Sequence, residues 1–252
     1  MIEIKTRLKG LLQSILTNKV FIFLFIKFNI KENYIEQKDG FVSVINQSDF
    51  LKALIYTGFY ERKEREIINK FIRKDLDVIE LGSSLGIITL TICKNCEKRV
   101  FSVEANSKLI ENLNRTKAKN ELNQLTIYSR AISYGSEYVK FDIDNNNLGS
   151  KISDTKGILV KAITLEEIYY SNKINKFILV SDIEGSEIDF ILNLCDNVII
   201  ENCMQIIIEL HEIVHEGQLF TKEKMADLIA LKFKMSTIYN AGDIWVFEKI
   251  TI

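Results

Sequence analysis

The stretch Asp77-Val-Ile-Glu-Leu-Gly-Ser-Ser-Leu-Gly86 constrains the fold of this chain more than any other. It reads as a short buried strand, Asp77–Leu81, then a glycine turn, then an apolar helix over 87–93. Gly82 and Gly86 lack a Cβ, so the backbone between them can turn sharply and approach a ligand closely. The first amides of the next helix then face whatever lies over the strand end. The pattern is E-x-G-x-x-x-G and not G-x-G-x-x-G, and Glu80 would repel a pyrophosphate. A dinucleotide is therefore disfavoured, and a ligand carrying positive charge fits better.

From Asp77 onward strands and helices alternate. Strands are expected at 99–105, 125–132, 176–183 and 205–210, and helices at 108–121, 187–194 and 222–231. The alternation predicts a mostly parallel α/β sheet with helices on both faces. The last two strands, 234–239 and 243–248, are separated only by Asn240-Ala-Gly242. That link is too short for a crossover, so the pair is antiparallel. A parallel sheet closed by such a hairpin is a Rossmann-like arrangement, here of seven strands. Residues 1–50 read as an α+β appendage, with helical spacing over 4–16 and two strands within 28–45 around Asp39-Gly40. Residues 51–252 form the main domain, beginning with helical sequence over 50–71 that is interrupted near Gly58.

Composition removes several function classes. Net charge is −1 with Lys and Arg scattered, which leaves no footprint for nucleic acid. Four cysteines are too few for a disulfide scaffold in a chain of 252 residues, so reduced thiols and a cytoplasmic location are expected. The apolar run 20–26 is far short of a membrane span. With Lys5, Arg7, Lys9 and Lys19 nearby, peripheral membrane contact through 1–30 is the weaker alternative to a buried element. A homo-oligomer is left open.

Three further signals lie at strand ends. Glu104 closes the apolar run Val100-Phe-Ser-Val103, about 20 positions past the glycine turn, where a carboxylate can accept both hydroxyls of a ribose. Ser181-Asp-Ile-Glu-Gly-Ser-Glu187 puts three carboxylates after the strand Phe177-Ile-Leu-Val180. Glu187 and Glu184 are explained by the N-terminal end of a helix dipole. Asp182, at the strand end itself, points to the ligand crevice. Ile206-Ile-Ile-Glu-Leu-His211 adds Glu209 and His211, and a histidine near neutrality is a natural base for a hydroxyl. S-adenosylmethionine, with its ammonium and sulfonium charges, satisfies both Glu80 and Glu104. The base is then His211 or Asp182. Alternatively Asp182, Glu184, Glu209 and His211 hold magnesium or manganese.

Two competing motifs are weighed. His211-Glu-Ile-Val-His215 formally satisfies the H-E-x-x-H of zinc hydrolases, but that motif needs a helix and His211 follows a strand. Cys93-Lys-Asn-Cys96 lacks a second C-x-x-C, so buried structural thiols are expected rather than zinc.

Taken together, Gly58-Phe-Tyr-Glu61, Glu80 to Gly86, Val103-Glu104-Ala-Asn106, Arg130-Ala-Ile-Ser133, Thr164-Leu165, Asp182 to Glu187 and Ile208-Glu-Leu-His211 resemble the FkbM-type S-adenosylmethionine-dependent O-methyltransferases. The resemblance implies a Rossmann-like methyltransferase fold. It also implies methyl transfer to a hydroxyl of a sugar, as in a surface glycan, or of a secondary metabolite. Its cofactor residues would be Glu61, Glu80, Gly82, Ser84, Gly86, Glu104, Ala105, Arg130, Ala131 and Asp182. The family turn is usually Gly-Ala-Asn-x-Gly, against Ser83 and Ser84 here, and a lysine often precedes the acidic element where this chain has Val180. A module that binds the nucleoside without catalysis is the alternative. The polar loop 142–149 could line the acceptor site.

Overall fold

The computed structural model describes residues 26–27, 30, 33–142, 151–152 and 157–250. The helix expected over 4–16, nearly all of the apolar run 20–26 and the loop after Asp142 lie outside the described residues. Strands β1 (Tyr34–Gln37) and β2 (Gly40–Ser43) form the expected hairpin around Asp39-Gly40. Helices α1 (Asp49–Tyr56) and α2 (Arg62–Phe71) follow, parted at Gly58. Ser48 caps α1 by accepting from the Leu51 amide.

The alternation then unfolds as β3 (Asp77–Leu81), α3 (Ile87–Asn95), β4 (Val100–Glu104), α4 (Ser107–Lys119) and β5 (Leu125–Ser129). The strand expected over 125–132 does not run through. Half-buried Arg130 donates its amide back to the Glu104 carbonyl, and the chain leaves the sheet there. It enters a second, four-stranded sheet of β6 (Ala131–Ile132), β7 (Tyr138–Asp142), β8 (Lys151–Ile152) and β9 (Ile158–Ile163). The main sheet resumes after α5 (Leu165–Ser171), which a Thr164–Glu167 capping box starts, with β10 (Phe177–Ser181). Then come α6 (Glu187–Asn193), α7 (Asn197–Asn202), β11 (Cys203–Glu209), the small hairpin β12 (Ile213–His215) and β13 (Gln218–Phe220), α8 (Lys222–Phe233), β14 (Met235–Ala241) and β15 (Ile244–Lys249).

The main sheet has seven strands in the order β14-β15-β11-β10-β3-β4-β5. All neighbours pair in parallel except those of β15, which is antiparallel to both β11 and β14. This is the Rossmann-like sheet with its closing hairpin that the sequence predicts. Strands buried on both faces are mostly apolar, and successive residues feed two cores. Ile79, Leu179 and Ile206 face α5, α6 and α8, while Val78, Ile178 and Ile207 face α2 and α3. The β1–β2 hairpin shares the second core through Ile35 and Val42, and docks on α4 where the Ser43 amide donates to Thr116 Oγ1 at 2.9 Å. Among the described residues no helix is long and apolar enough to cross a membrane.

Strand order reverses at β3, flanked by β4 and β10. Chains leaving neighbouring strands on opposite sides open a crevice above the strand ends. The turn after β3 and the loop after β10 touch at its floor. A Cβ on Gly82, at φ +85°, would lie 1.8 Å from the Asp182 carbonyl oxygen, so glycine is required there.

Candidate active site

A cavity of about 260 Å³ occupies that crevice. Its wall takes Tyr60 and Glu61 from the start of α2, Gly82 and Ser84 from the turn, and Glu104 to Asn106 after β4. Arg130 and Ala131 after β5, and Asp182 and Glu184 after β10, complete it, with Phe141 and Ile152 of the second sheet. The cavity therefore has two halves of different chemistry.

The first half is built around Glu104, which is 6% exposed. Its Oε2 accepts from the Ser84 amide at 2.7 Å, and its Oε1 accepts from the Asn106 amide at 2.7 Å. Each oxygen keeps a further lone pair for a ligand hydroxyl. Burial raises the Glu104 pKa, and the two amides oppose that rise. The serine pair that departs from the family turn has a local explanation. Ser83 donates its hydroxyl to the Val103 carbonyl, and Ser84 adopts a left-handed backbone, φ +49°, that aims its amide at Glu104. Asn106 caps α4 through Oδ1, while its buried Nδ2 has no partner. That amide is a donor without an acceptor in the cavity wall, a signal the sequence carried only as a helix cap.

The second half is acidic. Asp182 Oδ1 is buried without a partner, and its pKa is pushed up to about 8 by burial and by Glu209 and Glu184. Burial likewise raises Glu209 and Glu61, the latter also repelled by Asp182. Glu209 lines a smaller neighbouring cavity and His211 is in the wall of neither, but its ring reaches the carboxyl groups at their edge. Its Nδ1 lies 3.1 Å from Glu187 Oε1, and its Nε2 lies 3.7 Å from both Glu184 Oε2 and Glu209 Oε1. The Glu187 hydrogen bond is the largest cause of a His211 pKa pushed up to about 9. Glu187 itself is wholly buried, so the view of it as a solvated helix-end acid is corrected.

Eight of the ten cofactor residues expected from sequence come together in this cavity wall; Glu80 and Gly86 do not. Glu80 turns beneath the sheet toward α3, where Oε2 accepts from the hydroxyls of Thr89 and Ser102. Its pKa is pushed up to about 7, chiefly by burial, and it lines a smaller neighbouring cavity instead. Gly86 serves packing, since a Cβ there would lie 2.4 Å from Leu113 Cδ1 of α4. Val180, where relatives often carry lysine, is buried in the core facing α2 and α3.

The four residues of the metal alternative gather, with ligand atoms of Asp182, Glu184 and His211 within 4.8 Å of one another. A zinc hydrolase is excluded by backbone, because His211 and Glu212 are extended and His215 ends β12, so no helical face joins the histidines. Cys93, Cys96 and Cys203 are buried free thiols as expected, whereas Cys195 is exposed.

These residues fit an S-adenosylmethionine. Glu104 has lone pairs for two ribose hydroxyls, Asn106 Nδ2 awaits an acceptor, and a cationic end beside Glu61 and Asp182 would favour ionisation of these two carboxyls, whose pKa values burial raises. Among solved structures the chain is similar to a ribosomal protein L11 methylase from Lactobacillus delbrueckii subsp. bulgaricus, at 13% identity and TM-score 0.44, covering 76% of this chain and 80% of that one. It is also similar to a precorrin-6y C5,15-methyltransferase from Geobacter metallireducens GS-15, at 8% identity and TM-score 0.43, covering 75% and 89%. The N-methyltransferase NodS from Bradyrhizobium japonicum WM9 is similar at 8% identity and TM-score 0.40, covering 76% and 97%. No curated protein matches the sequence. Residues 86–236, more than half of the chain, match the Methyltransferase FkbM domain. The chain belongs to the FkbM methyltransferase family, and it is an S-adenosylmethionine-dependent methyltransferase.

Proposed function

We propose that this protein transfers a methyl group to a hydroxyl oxygen, and that the acceptor is a polyol such as a sugar unit of a glycan or a hydroxylated secondary metabolite. The observation that carries the reading is the position of His211, with Nδ1 against buried Glu187 and Nε2 facing the carboxylates at the edge of the cavity. An aliphatic hydroxyl is a poor nucleophile unless a base receives its proton as it reacts. The carboxylates of Asp182, Glu184 and Glu209 supply acceptors for neighbouring hydroxyls of a polyol, and the same charges oppose a phosphorylated acceptor.

Glu104 would hold the ribose, Asn106 and the Arg130–Ala131 segment would border the base, and Glu61 with Asp182 would face the methionine end. When bound, S-adenosylmethionine supplies an electrophilic methyl carbon on a positively charged sulfur. The acceptor oxygen would take that carbon, the C–S electron pair would stay with sulfur, and the hydroxyl proton would pass to His211 Nε2 in molecules whose ring is neutral, a fraction that grows as pH rises toward about 9. The chain's own share is to hold acceptor and donor in line and to receive the proton.

The test incubates the purified protein with methyl-labelled S-adenosylmethionine and a panel of saccharides and hydroxylated metabolites, then identifies the product bond by mass spectrometry. An alkali-stable methyl ether that forms equally well after exhaustive chelation supports the reading. Label found only on nitrogen overturns it.

A further inference from the structure

We propose that Glu187 is the positioning residue of the transfer: by holding Nδ1 of His211 it leaves Nε2 as the bare, proton-accepting nitrogen toward the acceptor. The inference rests on the hydroxyl-transfer reading above and adds the residue that decides which nitrogen acts.

An acid at the first position of a helix is ordinarily explained by the dipole and by water. Glu187 has no water-facing surface, at 0% exposed. A carboxylate so placed costs several kcal/mol of lost hydration unless it is bonded. Its Oε1 accepts from the Ile183 amide at 3.2 Å, which ties it beneath the loop that carries Asp182 and Glu184. The same oxygen lies 3.1 Å from His211 Nδ1, and Oε2 has no partner. Among the described residues His211 is its ion-pair partner.

A carboxylate at one ring nitrogen fixes the neutral imidazole with its proton on that nitrogen, so the other keeps its lone pair. The groups facing His211 come from every surrounding element. They are Asp182 and Glu184 after β10, Glu187 on α6, Glu209 on β11 and Asp243 in the turn between β14 and β15. The imidazolium formed when Nε2 takes the proton is thus met by negative charge on both sides. Glu184, with its side chain 41% exposed, gives that proton a route to solvent.

The test needs no acceptor. The chain contains two histidines, His211 and His215, so long-range ¹H–¹⁵N spectra of the full protein carry two imidazole spin systems. A His215→Gln protein assigns them. At pH values above the raised midpoint of about 9, the expected result is a neutral His211 protonated at Nδ1 and bare at Nε2. In Glu187→Gln the midpoint falls by about one unit or more and both tautomers are populated. Glu187→Asp keeps the wild-type tautomer. Calorimetry with S-adenosylhomocysteine, unchanged within about threefold, shows that the variants retain the fold and the cofactor half. A wild-type His211 protonated at Nε2 overturns the proposal, even if neither variant folds. So does a Glu187→Gln protein whose His211 titrates and tautomerises as wild type does. Failure of the wild type to bind S-adenosylhomocysteine would instead overturn the methyl-transfer reading and leave the tautomer result standing.

Discussion

Glu104 and Asp182 stand on either side of the same strand, at the ends of β4 and β10, yet their surroundings are opposite. Both Glu104 oxygens are held by backbone amides, so the carboxylate is fixed before any ligand arrives. Asp182 has an oxygen with no partner and is crowded by Glu184 and Glu209, with the titratable His211 beside them. The first arrangement suits a single ligand presented in one pose, as an invariant cofactor is. The second leaves acceptor capacity unsatisfied, of the kind the proposed polyol acceptor would use. In the proposed reading, binding and chemistry are divided between the two sides of β3.

The comparison breaks most severely at the floor the two halves share. Gly82→Ala would drive a Cβ into the Asp182 carbonyl at a left-handed position, with an expected loss of about 3 kcal/mol or more and a melting temperature lower by roughly 6–12 °C. Thermal denaturation checks it, and a change below about 2 °C would show that the loops separate freely. Next in size, Glu104→Ala removes both proposed ribose acceptors and frees two amides. S-adenosylhomocysteine binding is expected to weaken about 100-fold by calorimetry, near 2.7 kcal/mol.

A smaller effect sharpens the electrostatic contrast. Glu80 has a folded pKa raised to about 7 from 4.5, so the folded protein holds a proton that the unfolded chain releases. Its contribution is fully present below pH 4.5 and is lost as pH rises through 7. Asp182, raised to about 8, acts in the same direction. The unliganded wild type should lose stability between pH 5 and 8, and Glu80→Gln should flatten that slope by on the order of 2 kcal/mol. Denaturant titrations at the two pH values measure it, and parallel slopes would place the charge elsewhere. Smallest of all, Arg130→Ala should change S-adenosylhomocysteine affinity by less than about threefold, because its Nη1 is engaged in a solvent-exposed hydrogen bond to the neighbouring Ser129 carbonyl.

The sheet was readable because its signals are local. Apolar strands such as Phe177–Ser181 and the short link before Ile244 dictate parallel pairing and a closing hairpin without reference to distant residues. The second sheet was not readable. Residues 138–142 alternate exposed and buried side chains over only five positions and 158–163 hardly alternate, the core they share among the described residues is Ala131, Val139, Phe141 and Val160, and no turn residue marks the break at Arg130. At the site, Glu104 was legible from its spacing, whereas Glu80 was not. A carboxylate before the glycine turn looks ligand-facing in sequence, and only the register of β3 against β4 shows it bonded to Ser102. Glu187 was missed for the converse reason. Its residue type matches a helix start, and only burial distinguishes a dipole acid from one that holds an imidazole.

The division of labour between the two halves is tested most directly by S-adenosylhomocysteine calorimetry on His211→Gln beside Glu104→Ala. The account predicts that the His211→Gln protein binds within about threefold of wild type while the Glu104→Ala protein loses about 100-fold. Equal losses in the two variants, or the larger loss in His211→Gln, would contradict it.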